Sequence, residues 1–167
     1  MPVRSSALVA GRRTDERGSV LALVPAGFMV LIVLAAFAIN SAVAYKASQQ
    51  LHDTLLAAAN DGAAAGLDGS AFYSTGALAL SMSKVEQQVC ASVRAQDTPG
   101  LQAETIGVAV VGLWVEVTGS AVAQGLFARG IPGFGAIRVS SSAIVVVAST
   151  TASSAAPVFP PVVKVRC

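Results

Sequence analysis

The most regular feature of the chain is an uncharged, strongly apolar run between Arg17 and Lys46. It covers 28 residues, from Gly18 to Tyr45, and 22 of them are apolar. A helix of that length measures about 42 Å, whereas the hydrocarbon core of a bilayer is about 30 Å thick. The run therefore predicts a transmembrane helix over 18–45. Pro25 lies close to its start, where membrane helices tolerate proline.

Charges on either side of this run predict the topology. Four arginines and two acidic residues lie within 1–17, whereas Lys46 is the only basic residue directly after the run. Because basic residues favour the cytoplasmic side, we expect 1–17 to be a basic cytoplasmic segment and the chain from 46 onward to be exported. The alternative is a secreted domain released by signal cleavage near Ala44, since Ala42-Val43-Ala44 has the small-x-small form.

The pattern after Lys46 changes to a helical repeat of small and apolar side chains. They recur every three or four residues, which predicts that the membrane helix continues as an amphipathic helix. The predicted packing face consists of Leu51, Leu55, Ala58, Gly62 and Gly66. Packing against the chain's own domain is the simpler interpretation of this face, and a groove for a partner subunit is the other.

A second helix is predicted over 83–96, after a turn at 67–70. Ser83 and Glu86 have the spacing of a capping box, and Val85, Val89, Cys90 and Val93 form an apolar stripe. From Thr105 the period becomes two, which predicts a hairpin turning near Gly112 and a third strand over 138–148. The segment between these strands, 119–136, is compatible with either strand or a short helical turn.

These elements predict an α+β fold: one long N-terminal helix, a second helix and a small antiparallel sheet. Residues 46–148 form the predicted exported domain, and 149–167, which contain three prolines, the predicted flexible or extended tail. Of 167 residues, 54% are apolar and 12% charged, and the mean hydropathy is +0.67. That composition excludes a disordered charged chain and disfavours an ordinary soluble enzyme. The net charge of +2 gives no reason to expect nucleic acid binding.

Candidate chemistry in the sequence is sparse. His52 and Asp53 are neighbours on a helix and so point in different directions, which favours a solvated helix face over a catalytic pair. No zinc-ligand cluster, P-loop or nucleophile elbow is visible, and Gly130, Gly133 and Gly135 are better interpreted as a turn. We therefore expect no catalytic, metal or cofactor site and no small-molecule substrate. Cys90 and Cys167 would both be exported, where a disulfide between them is permitted. The other interpretation of Cys90 is a small core residue.

Part of the chain resembles a known family of membrane proteins, and the likeness runs from Asp15 to Leu67. The matching stretches are Glu16-Arg17-Gly18-Ser19-Val20, Gln50-Leu51-His52-Asp53 and the alanine-rich segment from Ala57 to Gly66. In this order they resemble the TadE/TadG-like family of Flp (tight adherence) pilus assembly. The segments 115–120 and 126–133 and the final strand are similar in a weaker way.

The resemblance implies a pilin-like layout and a pseudopilin-like, non-enzymatic accessory of a pilus or secretion assembly. It would sit in the cell membrane with its C-terminal domain exported, and its partners would be the membrane and other assembly subunits. The resemblance also implies processing by a prepilin peptidase between Gly18 and Ser19, although Leu23 stands where such sites carry glutamate. Partner contacts are expected through the packing face or a sheet edge. The alternative function is a generic membrane-anchored envelope module that binds a ligand or a wall component.

Overall fold

The computed structural model describes residues 17–125, 136–147, 157–165 and 167, with side chains from residue 23 onward. Helix α1 spans Arg17–Ala65, 49 residues without a break, and Pro25 lies inside it. The chain divides into an N-terminal unit that ends at Ala38 and a C-terminal unit that begins at Ile39. The span of α1 confirms the predicted continuation of the apolar helix into the alanine-rich segment. Ala, Leu and Gln have high helix propensity, so they sustain the helix until glycine becomes frequent.

Helix α2, Gly69–Thr75, was missed by the sequence pattern, which predicted only a turn at 67–70. Asp68 caps its first turn, since the carboxylate accepts hydrogen bonds from the Ser70 amide at 3.1 Å and hydroxyl at 2.7 Å. Gly76, with φ of 73°, ends it in the left-handed conformation. An isolated β-bridge between Leu67 and Leu80 joins the two ends of the segment that contains α2.

Helix α3 spans Met82–Gln96, close to the predicted 83–96. The predicted capping box is wrong: Ser81 is the N-cap residue and makes no side-chain cap bond, while its hydroxyl lies 3.2 Å from the Ser83 hydroxyl. The helix ends at Asp97, which has a φ of 42°. The predicted apolar stripe of α3 is confirmed, because Val85, Val89, Cys90 and Val93 are all buried.

In the described part of the chain, four strands form one antiparallel sheet in the order β3-β2-β1-β4. The strands are β1 Gly107–Val111, β2 Trp114–Gln124, β3 Ala136–Val146 and β4 Val163–Lys164. The predicted hairpin is confirmed, since Val111 pairs with Trp114 across a two-residue turn in which Gly112 has a φ of 59°. Strand β2 continues to Gln124, so the first part of the ambiguous segment is strand, while 126–135 lie outside the described residues.

The described part of the predicted tail is bound to the sheet. Val163 pairs with Val108, Lys164 pairs with Gly107, and the Val165 amide donates to the Ile106 carbonyl at 2.9 Å. The extended alternative for the tail is therefore the one found at 163–165, and the flexible one is wrong for these residues, whereas 148–156 lie outside the described residues. The Val-Val-Lys-Val sequence after the prolines has strand propensity, but its pairing partner lies more than fifty residues away and leaves no local signal.

One face of the sheet carries the core. Along β2 alternate residues are buried, so Val115 and Val117 face the helices while Trp114 and Glu116 face outward. Helix α1 contributes Leu51, Leu55 and three alanines, and α3 contributes three valines. The core cluster is Leu51, Leu55, Ala58, Ala59, Ala63, Val85, Val89, Val93, Ile106, Val108, Val115, Val117, Ala121 and Ala143.

Candidate functional site

The apolar surface of the N-terminal part of α1 is a candidate functional surface. From Leu23 to Ala38 nearly every side chain is exposed, including Phe28, Leu31 and Phe37 at 63%, 64% and 72%. The helix is long and apolar enough to cross a membrane, with a hydropathy of 2.3 in its most apolar 18-residue window, none of which is buried. A signal sequence, or a helix buried against other protein, has the same length and composition. The surface requires an apolar environment in each case.

The polar end of this apolar surface lies at Tyr45 and Lys46, both of which are exposed. The Gln49 amide donates a 2.8 Å hydrogen bond to the Tyr45 hydroxyl one turn along α1. Tyrosine and lysine are frequent at membrane–water boundaries, because each has an apolar stem and a polar tip. Tyr45 and Lys46 therefore mark the position along α1 at which an apolar environment would give way to water.

The predicted packing face of α1 is internal to the C-terminal unit. All five of its residues, Leu51, Leu55, Ala58, Gly62 and Gly66, are buried. A Cβ on Gly62 would lie 2.8 Å from a Val89 methyl carbon, so glycine is what allows α3 to approach. The suggestion that a partner subunit binds this face is therefore wrong, since α3 and the sheet already cover it.

Substituting Gly62 tests this close approach. We expect Gly62→Val to lower the free energy of unfolding by about 1–3 kcal/mol, because overpacking forces the valines of α3 to move. Ala64→Val, on the exposed side of the same helix, is the matched control and should change it by no more than about 0.5 kcal/mol. Urea unfolding of the full chain in micelles measures both, and equal effects would contradict the packing.

Polar contacts also tie α1 to neighbouring segments. The Ser92 hydroxyl of α3 donates to the Asp61 carboxylate at 2.6 Å. The Thr54 hydroxyl donates to the Gln50 carbonyl at 2.9 Å and lies 2.7 Å from the Thr98 hydroxyl, beyond the end of α3. These bonds satisfy polar groups that packing has removed from water, and so fix the rotation of α1 against the unit.

A disulfide joins Cys90 of α3 to Cys167, with their Cα atoms 5.0 Å apart. One turn further along α3, the Arg94 guanidinium donates to the Cys167 carbonyl oxygen through Nε at 2.7 Å and through Nη2. Cys90 is buried, and Cys167 packs against the core cluster. Cys90 is therefore both a core residue and a disulfide partner. The covalent bond attaches the segment after β4 to the C-terminal unit.

His52 and Asp53 are both exposed on α1. The sequence missed one contact: the His52 Nδ1 atom lies 3.3 Å from the Ser141 hydroxyl on β3. Among the described residues, no three His, Cys, Asp or Glu side chains are grouped to hold a metal ion. Gly18 and Ser19 lie in the first turn of α1, and the glycines at 130, 133 and 135 lie outside the described part of the chain.

A cluster of exposed apolar side chains lies on α2 and on the segment that follows it. Tyr73 is 90% exposed, and Phe72 and Leu78 are about half exposed. The two aromatic rings meet edge to face with centroids 5.9 Å apart, beside a shallow depression of about 210 Å³. This patch was not predicted, because Phe72 and Tyr73 belong to a helix that was not predicted and Leu78 lies in the segment after it.

Asp68, at the start of α2, has a pKa below its ordinary value of 3.8 because the Ser70 hydroxyl and amide donate to its carboxylate. A depressed pKa means that this contribution to stability is present above pH 3.8 and is lost as the pH falls through the folded-state value. We expect an NMR titration of the Asp68 carboxyl carbon to give a midpoint below 3.8. Ser70→Ala should raise that midpoint, and an unchanged midpoint would exclude the Ser70 hydroxyl as its cause.

Comparison with protein-family models, characterised proteins and solved structures gives no match for this chain.

Proposed function

We propose that this chain is a non-enzymatic, single-pass membrane-anchored accessory of a pilus or secretion assembly, similar to the TadE/TadG-like proteins. The observation that carries the proposal is the exposed apolar surface of α1, which leads without a break into the buried packing face. A single helix thus serves both as anchor and as core element, which is the layout that the family resemblance implies. In this proposal 1–17 stay in the cytoplasm and the C-terminal unit is exported.

The disulfide supports export of the C-terminal unit. Cysteine pairs persist in oxidising compartments and are rare in the cytosol. Cys90 and Cys167 both lie on the C-terminal side of the apolar segment, so one orientation in the membrane satisfies the disulfide and the distribution of basic residues together.

A deletion strain tests the assembly role. We expect loss of surface pili or of the secreted product, with rescue by the full-length gene and no rescue by a chain that begins at Lys46. Normal assembly in the deletion strain would contradict the pilus and secretion role and would favour the generic envelope module instead.

Intact-mass analysis of the membrane-bound protein tests processing at Gly18–Ser19. A mature chain that begins at Ser19 would support a pseudopilin-like protein. A chain that retains 1–17 would remove processing from the proposal and leave the anchor, and one that begins near Tyr45 would contradict the anchor.

A further inference from the structure

An open cleft lies in the C-terminal unit beside Lys46, the first charged residue after the apolar run. It has a volume of about 570 Å³, and all of its lining residues belong to this unit. Helix α1 supplies Val43, Lys46, Ala47 and Gln50 to one wall, and Val122, near the end of β2, belongs to the opposite wall. The cleft therefore lies at the position along α1 at which an apolar environment would give way to water.

The polarity of the α1 wall changes along the helix axis. Lys46 lies about one turn after Val43, and Gln50 lies about one turn after Lys46, so the three side chains share one face of α1. An apolar group, an ammonium group and an amide thus follow one another in the direction that leads away from the apolar run. The acyl chains, phosphate and headgroup of a phospholipid follow one another in the same order from the bilayer centre outward.

The Lys46 ammonium group has no carboxylate partner on its side of the apolar run. The one ion pair among the described residues joins Lys84 to Asp68, and Lys46 is exposed. The later parts of the sequence that lie outside the described residues, 126–135, 148–156 and 166, contain no aspartate or glutamate and so cannot supply one. The cleft therefore carries a positive charge that favours an anion.

We propose that this cleft binds the headgroup of an anionic phospholipid of the membrane that α1 enters. The Lys46 ammonium group would donate to the phosphate, and the Gln50 amide would donate to a headgroup hydroxyl. Val43 and Val122 would contact the glycerol end of the acyl chains. A zwitterionic lipid fits less well, because Lys46 would repel its ammonium group and no lining residue is acidic. The inference rests on the membrane anchor of the proposed function.

Native mass spectrometry of the full-length protein in detergent micelles tests the proposal. The probes are phosphatidylglycerol and phosphatidylcholine with identical acyl chains, and the readout is the fraction of protein that carries one lipid. We expect saturable binding of one phosphatidylglycerol molecule and weaker binding of phosphatidylcholine. Lys46→Gln should weaken phosphatidylglycerol binding about fivefold, the effect of one basic residue at an anionic surface. Equal affinities of wild type and Lys46→Gln for phosphatidylglycerol would overturn the proposal.

Two further variants separate the cleft from the effect of charge alone. Lys84→Gln removes another exposed lysine, which does not line the cleft, and should leave lipid binding unchanged. Ala47→Leu keeps Lys46 but adds bulk to the cleft, so it should weaken phosphatidylglycerol binding, and its melting temperature checks that the unit is folded. Equal losses in the two lysine variants, or full binding by Ala47→Leu, would overturn the cleft as the site.

A soluble competitor separates a lipid from a free phosphate as the ligand. Glycerol 3-phosphate in large excess should not displace phosphatidylglycerol, because it lacks the acyl chains that would contact Val43 and Val122. Displacement would overturn the lipid assignment.

Carbonate extraction of the same proteins separates this inference from the proposed function. Wild type and Lys46→Gln should both stay in the membrane, since the apolar run is unchanged. A membrane-bound wild type that shows no preference for phosphatidylglycerol would overturn the lipid site alone, whereas a wild type that carbonate releases would overturn the membrane anchor and the lipid site with it.

Discussion

Two arginines in the middle of the apolar segment are expected to abolish membrane insertion. Between Val20 and Ala44 the chain has thirteen Val, Leu, Ile and Phe residues. Each contributes about −0.3 to −0.6 kcal/mol to insertion, giving about −4 to −8 kcal/mol together. Each central arginine costs about 2.5–3.5 kcal/mol. Leu31→Arg combined with Leu34→Arg therefore cancels most or all of the gain, and both positions are well exposed, so no internal contact is lost.

Carbonate extraction of membranes measures this effect directly. Wild type and the double variant Leu31→Ile, Leu34→Ile should stay in the pellet, because isoleucine keeps the apolar surface. The double arginine variant should be found in the soluble fraction or be degraded. Retention of the arginine variant in the pellet would show that the segment is held by protein contacts and does not cross a bilayer.

Loss of the disulfide is expected to have the second largest effect, on the stability of the C-terminal unit. Cys90 and Cys167 are 77 residues apart, and closing a loop of that size stabilises a fold by about 4 kcal/mol in the chain-entropy description. Cys90→Ser combined with Cys167→Ser should lower the free energy of unfolding by about that amount. Strand β4 should be released first, since its pairing with β1 covers two residues.

Thermal melting of the full chain in micelles, with and without a reductant, measures this contribution. Wild type should lose stability when the reductant is added, whereas the double serine variant should already be destabilised and should not respond further. Equal melting temperatures for wild type in both conditions would contradict a stabilising role. Amide exchange at Val165, whose amide donates to the Ile106 carbonyl, reports the release of β4, and continued protection of that amide in the serine variant would contradict the expected order of events.

The sequence predicted those elements whose signal is local and periodic. Three such signals were the apolar run of α1, the helical repeat from Leu51 to Gly66 and the alternation in β2. Each arises because the side chains that face apolar surroundings are themselves apolar. The two-residue turn at Gly112 was also predictable from the local sequence, because glycine accepts the positive φ that the turn requires.

Features that depend on distant pairing were not predictable in the same way. Strand β4 pairs with the edge of β1, and Cys167 is bonded to Cys90, although each partner lies more than fifty residues away along the chain. The capping box at Ser83 and Glu86 had the right spacing, but the N-cap residue of α3 is Ser81, two residues before Ser83 and directly after the bridge between Leu67 and Leu80. The aromatic patch around α2 has no sequence signature, because exposure is set by what the tertiary fold leaves uncovered.

The central claim is that α1 crosses the membrane once and that the C-terminal unit is exported. Protease treatment of intact spheroplasts that carry a chain tagged before Arg17 and after Cys167 tests it most directly. We expect the C-terminal tag to be digested while the N-terminal tag stays protected inside the spheroplasts, and we expect both tags to be digested after lysis. Protection of both tags in intact spheroplasts, or release of the C-terminal unit into the medium without its N-terminal tag before protease is added, would contradict it.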